Sequence, residues 1–262
     1  MLVIAHPGHE LRVWRWLELV RPEVCVVTDG AGRCGSSRLA STARVLDAAG
    51  AKRSSLFGVL TDLRLYQAVL ERNVEPFRRL ADRLTRVLVE RRATCVVGDA
   101  AEGQIMAHDL LREVRRSAVR RAESILGWRI DEWEFALESH PHLAPEDVAN
   151  ETVRVPLTES ELAQKVAMAR GYPELAQVVQ AAFERFGEEA FALESLFPAT
   201  PRSLLNLQPG DVREYERHGE KQVAAGNYPQ VIRHSRHVAP IVAAVIADEA
   251  ANCSTGITRA AA

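Results

Sequence analysis

Four short, uninterrupted apolar runs, each leading through a loop into a helical pattern, limit what the first half of this chain can fold into. The runs are Leu2 to Ala5, Val24 to Thr28, Leu56 to Leu60 and Thr94 to Val97. Apolar residues at helical spacing mark Glu10 to Leu19, Ser37 to Ala49, Val74 to Arg91 and His108 to Leu126. Leu39, Ala43, Leu46 and Ala49 form one inner face, with Gly50 as its stop signal; Leu80, Leu84, Val87 and Leu88 form another. Continuous apolar strands alternating with helices predict a mainly parallel α/β sheet flanked by helices on both faces. In such sheets reactive groups gather beyond the carboxyl ends of the strands. Three informative segments fall there: His6 to Glu10, Asp29-Gly30, and Asp99 to His108.

The second half reads differently, which divides the chain into a core over 1–150 and a mainly helical portion over 151–262, packed on that core. Glu132 to Val155 mixes strand pieces with the loop Ser139-His140-Pro141-His142. Thr158 to Phe186 reads as one helix, N-capped by Thr158 or Ser160. Phe197 to Pro209 is rich in turn residues, a last helix covers Val238 to Ala251, and the tail from Asn252 reads as frayed. A net charge of -2 gives no global pull toward nucleic acid or an anionic membrane. No apolar stretch approaches the roughly 20 residues needed to span a bilayer. Glu10 and Arg12 follow the first apolar run too soon for a signal-peptide core. Cys25, Cys34, Cys95 and Cys253 show no CxxC pairing, so the expectation is a cytoplasmic protein with reduced thiols. The apolar content of the second half permits a homo-oligomer.

Chemistry concentrates in Ala5-His6-Pro7-Gly8-His9-Glu10. Two imidazoles separated by two residues, on a loop leaving a buried strand, can converge on one metal ion. A catalytic zinc site needs about three protein ligands and an open position for water. His108, after the fourth strand, offers the third imidazole. The alternative is two solvent-facing loop histidines and an ordinary histidine at a helix start.

The opening segment, from Leu2 through His6-Pro7-Gly8-His9-Glu10, resembles the start of the PIG-L (LmbE-like) family of zinc-dependent deacetylases, where a strand leads into His-Pro-Asp-Asp-Glu. The resemblance runs on through Val26 to Gly30, Arg38, Leu60-Thr61-Asp62 and Asp99 to His108, and implies a Rossmann-like sheet. It covers the first half and is loose beyond it. By this resemblance His6, His9 and His108 hold one Zn²⁺ per chain, His9 standing where the family has an aspartate. Two departures matter. The family's general base falls on Gly8, and its carbonyl-polarising histidine falls near Ile105, which cannot donate a hydrogen bond.

Glu102, or Asp99 as second choice, offers a replacement carboxylate, with Asp99 alternatively orienting a ligand histidine. The plain reading of both is an acidic loop capping the next helix. Glu10 matches the motif's final glutamate and reads as a structural hydrogen-bonding group. Arg38 and Asp62 match substrate-contacting positions of the family. His218 lies in the polar segment Tyr215 to Gln222 and is a candidate acid, against the reading of a solvated helix. The implied activity is zinc-dependent hydrolysis of an N-acyl bond in an acylated amino sugar or related small metabolite. The alternatives are a metal-binding pseudoenzyme, or different zinc chemistry on the same fold.

Overall fold

The computed structural model describes residues 1–32, 35–201 and 210–248. The expectations for Cys34, Cys253, the tail from Asn252 and most of the turn-rich segment before Pro209 lie outside the described residues. In chain order the first elements are β1 (Leu2–Ile4), α1 (Trp14–Val20), β2 (Glu23–Thr28), α2 (Leu39–Ala49) and β3 (Lys52–Leu60). There follow α3 (Asp62–Leu70), α4 (Glu75–Glu90), β4 (Cys95–Asp99), α5 (Met106–Leu126) and β5 (Asp131–Phe135). The last are β6 (Val153–Pro156), α6 (Glu159–Arg170), α7 (Ala176–Phe186), β7 (Leu193–Pro198) and α8 (Glu214–Ala224).

The seven strands form one sheet in the order β3-β2-β1-β4-β5-β7-β6. β1 pairs parallel with β2 and β4, and β2 with β3, while β7 runs antiparallel to both β5 and β6. The expected mainly parallel α/β sheet is therefore present, with one strand, β7, running antiparallel between β5 and β6. The central strand has the burial its continuous apolar sequence predicts, with Leu2, Val3 and Ile4 at 0%, 5% and 1% exposure.

The chain forms two compact units that interleave along the sequence: Met1–Leu63, Val96–Ala100 and Glu132–Leu204 in the first, and Arg64–Cys95, Ala101–Asp131 and Leu205–Ala262 in the second. The boundary expected at residue 150 falls inside the first unit, because β6 and β7 join the same sheet as β1. In this unit Leu11, Trp14, Val45, Ala169, Tyr172 and Leu175 make one apolar cluster, with Met168, Val179 and Phe183 packed against it. A buried ion pair accompanies it. Lys165 Nζ lies 2.7 Å from Glu194 Oε1, and the Glu194 carboxylate accepts the amides of Arg15 and Trp16 in the first turn of α1. Those amides have no partner within the helix, so the carboxylate serves as their cap. The second unit is helical. Phe77, Leu80, Leu84 and Leu88 are the buried face of α4, and Arg121 of α5 bridges Asp82 and the carbonyl of Val245.

Candidate active site

Strand order reverses beside β1, because the chain builds outward through β2 and β3 on one side and through β4 on the other. The carboxyl ends of β1, β2, β3 and β4 meet there, in the place where open α/β sheets bind ligands. His6 follows β1 and is buried at 8% exposure. Its Nδ1 lies 2.7 Å from Thr28 Oγ1 at the end of β2, and 3.1 Å from Asp62 Oδ1 just beyond β3. Asp62 is itself fixed, accepting the Gly32 amide at 2.7 Å and donating its own amide to Asp29 Oδ1. Burial works to raise the Asp62 carboxyl, but the hydrogen bond and charge of His6 prevail and hold it well below the usual carboxylate range. Burial dominates at His6 and lowers its pKa.

His9 repeats the arrangement with another partner. Its Nδ1 lies 3.0 Å from Asp99 Oδ2 at the end of β4, and the same oxygen accepts the Ala5 amide at 2.6 Å. Burial pulls the His9 pKa down, but the Asp99 charge and hydrogen bond outweigh it, and the net shift is upward. The two imidazoles stand edge to face with centroids 5.3 Å apart. Asp99 is thus in contact with His9 and with the Ala5 amide. The carboxylate behind His6 comes from Asp62, which the resemblance had assigned to substrate.

The loop between the histidines is tied from below. Gly8 has φ +106°, a conformation that L side chains rarely adopt, and its amide donates to Glu10 Oε2 at 2.7 Å. Thr42 donates to the other oxygen of Glu10 at 2.7 Å, and the Tyr172 hydroxyl is 2.9 Å from Thr42 and donates to the Arg38 carbonyl. Glu10 is fully buried, and burial raises its pKa; it is the structural group the sequence suggests. A Cβ at Gly8 would lie 2.3 Å from Leu175 Cδ1, so this position faces packed leucine. At Gly30 a Cβ would meet Pro7 Cδ at 2.8 Å and Arg38 Cδ at 3.0 Å, which places the Arg38 stem against the His6-Pro7 loop.

The first unit thus brings together His6, His9, Asp62, Asp99 and Arg38. Glu102 and His108 belong to the second unit, at 2% and 3% exposure, on the loop before α5 and in its first turn. There the amides of Glu102 and Gly103 both donate to Asp109 Oδ1 at 3.1 Å, and burial pushes the Asp109 carboxyl up to about 6. Asp109 is an acid in the first turn of a helix, a signal the sequence carries. His218 lies on an exposed face of α8, its ring 6.4 Å from that of Tyr228, as a solvated helix would have it.

Among the described residues no group of three or more His, Cys, Asp or Glu side chains is gathered to hold a metal ion. The two loop histidines nevertheless carry the preparation that metal ligands have. An imidazole ligand characteristically engages a carboxylate, carbonyl or water through its other ring nitrogen, which fixes tautomer and orientation. Here Nδ1 of each ring faces a buried carboxylate, so Nε2 is the atom that would meet a metal.

No family model matches the chain, and no curated protein matches it as a relative. Among solved structures it is similar to a triple mutant of a deacetylase involved in the teicoplanin biosynthetic pathway, at 16% identity over 75% of this chain and 96% of that one, with a TM-score of 0.48. Among the described residues no helix is long and apolar enough to cross a membrane.

Proposed function

We propose that the crevice beside β1 is the active site of a zinc-dependent hydrolase that removes an acyl group from an amide nitrogen, with acylated amino sugars or their conjugates as the substrate class. The observation that supports this most is the pair of histidines at the strand-order reversal, each backed by its own carboxylate. A bound zinc ion would supply Lewis acidity to water and to the scissile carbonyl. Asp62 and Asp99 hold the His6 and His9 rings with Nδ1 engaged. Thr28, Glu10 and Thr42 fix the loop on which the rings stand. Arg38, whose Cδ would lie 3.0 Å from a Cβ at Gly30, would meet polar groups of a substrate. The sequence assigns the third ligand to His108 and the proton carrier to Glu102.

The test is the metal content of the purified protein and of its His6→Ala, His9→Ala and His108→Ala variants. About one zinc per chain, lost in all three variants, is the expected result. A protein that stays metal-free after zinc is supplied would sink the proposal. A second reading, a zinc-binding scaffold without turnover, is favoured by Leu175 at Gly8, which fills the place of the family's base. It expects bound zinc and no release of acetate from any N-acetylated amino sugar.

A further inference from the structure

Two hydrogen-bond donors stand unused at the start of α8, on residues two positions apart. Among the described residues, Arg213 Nε and the Tyr215 hydroxyl are shut away from solvent and neither has a hydrogen-bond partner. Native folds satisfy nearly all their buried polar atoms, and an orphaned donor costs stability. Two orphans in one helical turn point to an acceptor that arrives from outside. Their surroundings are held in place, all within the second unit. A guanidinium can only donate, so Arg213 Nη2 donates to His234 Nε2 at 3.1 Å, and the imidazole carries its own hydrogen on Nδ1. His234 opens a π-helical turn, His234–Val238, a rare conformation that collects at functional sites. On the other side, Asp109 Oδ1 accepts the amides of Glu102 and Gly103, and the Gly103 carbonyl accepts the Glu214 amide at 2.9 Å. Asp109 Oδ2 is left 3.9 Å from Arg213 Nε, too far for a hydrogen bond although the charges are opposite. The Arg213 and Asp109 side chains keep 17% and 11% of their surface exposed, so a dissolved molecule can reach them. Burial, seconded by the Asp109 charge, pushes the Tyr215 phenol well up, and its hydroxyl remains a donor.

We propose that Asp109, Arg213 and Tyr215 form a binding site for a neutral polyhydroxyl compound, a sugar or polyol. The donor set selects this class. An anion would be attracted by Arg213 and repelled by Asp109, and a cation the reverse. A neutral hydroxyl suits both, accepting from Arg213 Nε while donating to Asp109 Oδ2, and a hydroxyl on the adjacent carbon accepts from Tyr215. The site uses none of the residues assigned to the crevice and stands independently of the zinc-hydrolase reading.

The Nε–H resonance of Arg213, assigned by its loss in Arg213→Lys, reports occupancy directly in heteronuclear NMR spectra. D-glucose, glycerol and inorganic phosphate are titrated into the full chain as wild type, Tyr215→Phe, Asp109→Asn and Lys221→Gln, and the melting temperature of each protein is measured without ligand. D-glucose or glycerol should shift the resonance saturably in wild type and in Lys221→Gln, the control on the exposed last turn of α8. Binding should weaken roughly threefold to tenfold in Tyr215→Phe and in Asp109→Asn. Because the Tyr215 hydroxyl has no partner within the described fold, Tyr215→Phe without ligand should melt no lower than wild type, which a structural role would not allow. A saturable shift with phosphate and with neither polyol would overturn the neutral class of ligand. Absence of a saturable shift with all three probes would overturn the site. So would a lower melting temperature for Tyr215→Phe, by showing that the hydroxyl is held through a structural water.

Discussion

At position 8 two constraints act together, a φ of +106° and the Leu175 side chain 2.3 Å from where a Cβ would stand. Placing a carboxylate here by Gly8→Asp should therefore cost stability, about 1–3 kcal/mol by strain and overpacking. Adding Leu175→Ala should relieve the clash but not the backbone strain; denaturant melts of the single and double variants check this. A Gly8→Asp variant as stable as wild type would show the position to be open. Asp109 gives a prediction of opposite chemistry. Its folded pKa of about 6 lies above its ordinary 3.8, so the folded state holds the proton more tightly than the unfolded state. That contribution is complete below about pH 4 and is lost as pH rises through 6, an effect of about 3 kcal/mol at most. Asp109→Asn, which keeps an acceptor for the Glu102 and Gly103 amides, should flatten stability against pH across that window; urea midpoints at pH 4, 5, 6 and 7 measure it. That position 8 has no side chain where the resemblance would put a carboxylate was legible from the sequence alone. The packing of Leu175 against Gly8 was not, because the two meet only through the folded linker between α6 and α7. The pairing of His6 with Asp62 was hidden for the same reason: β2 lies between their strands.

Strands and helices of the first half follow the hydrophobic pattern closely, and the departures come where polar partners change the rules. The single helix expected over Thr158 to Phe186 is two, since Gly171-Tyr172-Pro173 interrupts it and a proline disfavours helix at the residue before it. The break turns Tyr172 into the core at 1% exposure, with its hydroxyl on Thr42 and the Arg38 carbonyl. The cap resolves to Thr158, whose side chain and that of Glu161 bond each other's backbone amides. β7 leaves a weak mark in the sequence because Glu194 and Ser195 interrupt its apolar run. That glutamate is buried at 2% exposure only because Lys165 and the first amides of α1 satisfy it. Lys165→Met should consequently cost about 3–5 kcal/mol, because it strands a buried carboxylate without its cation. Thermal and chemical denaturation of the variant test this. Lys165→Met together with Glu194→Gln should recover part of the loss, and no loss in the single variant would contradict the pairing.

Each compact unit is assembled from three stretches of chain, and that arrangement governs how the molecule can be divided. Composition showed a change of character after residue 150, and the helical bias there is real, but β6 and β7 return to the sheet. Periodicity reports what one segment buries and not which segment buries it, so an interleaved boundary leaves no local mark. A fragment ending at residue 150 would keep β1 to β5 and lose β7, the neighbour of β5, together with Tyr172 and Leu175 from beneath the His6–His9 loop. It should lack cooperative unfolding and protected amides in β5, as hydrogen exchange would report. Protection equal to that of the full chain would show that the first five strands stand alone.

Arg12, whose guanidinium donates to the carbonyls of Ala136, Leu137 and Ser139, bears on how such a protein can change over generations. One side chain grips three successive regions of a loop through carbonyl oxygens, which every amino acid carries. The loop's letters are thereby released from the task of holding its shape. Drift can rewrite the side chains along this loop while a single arginine holds its course constant.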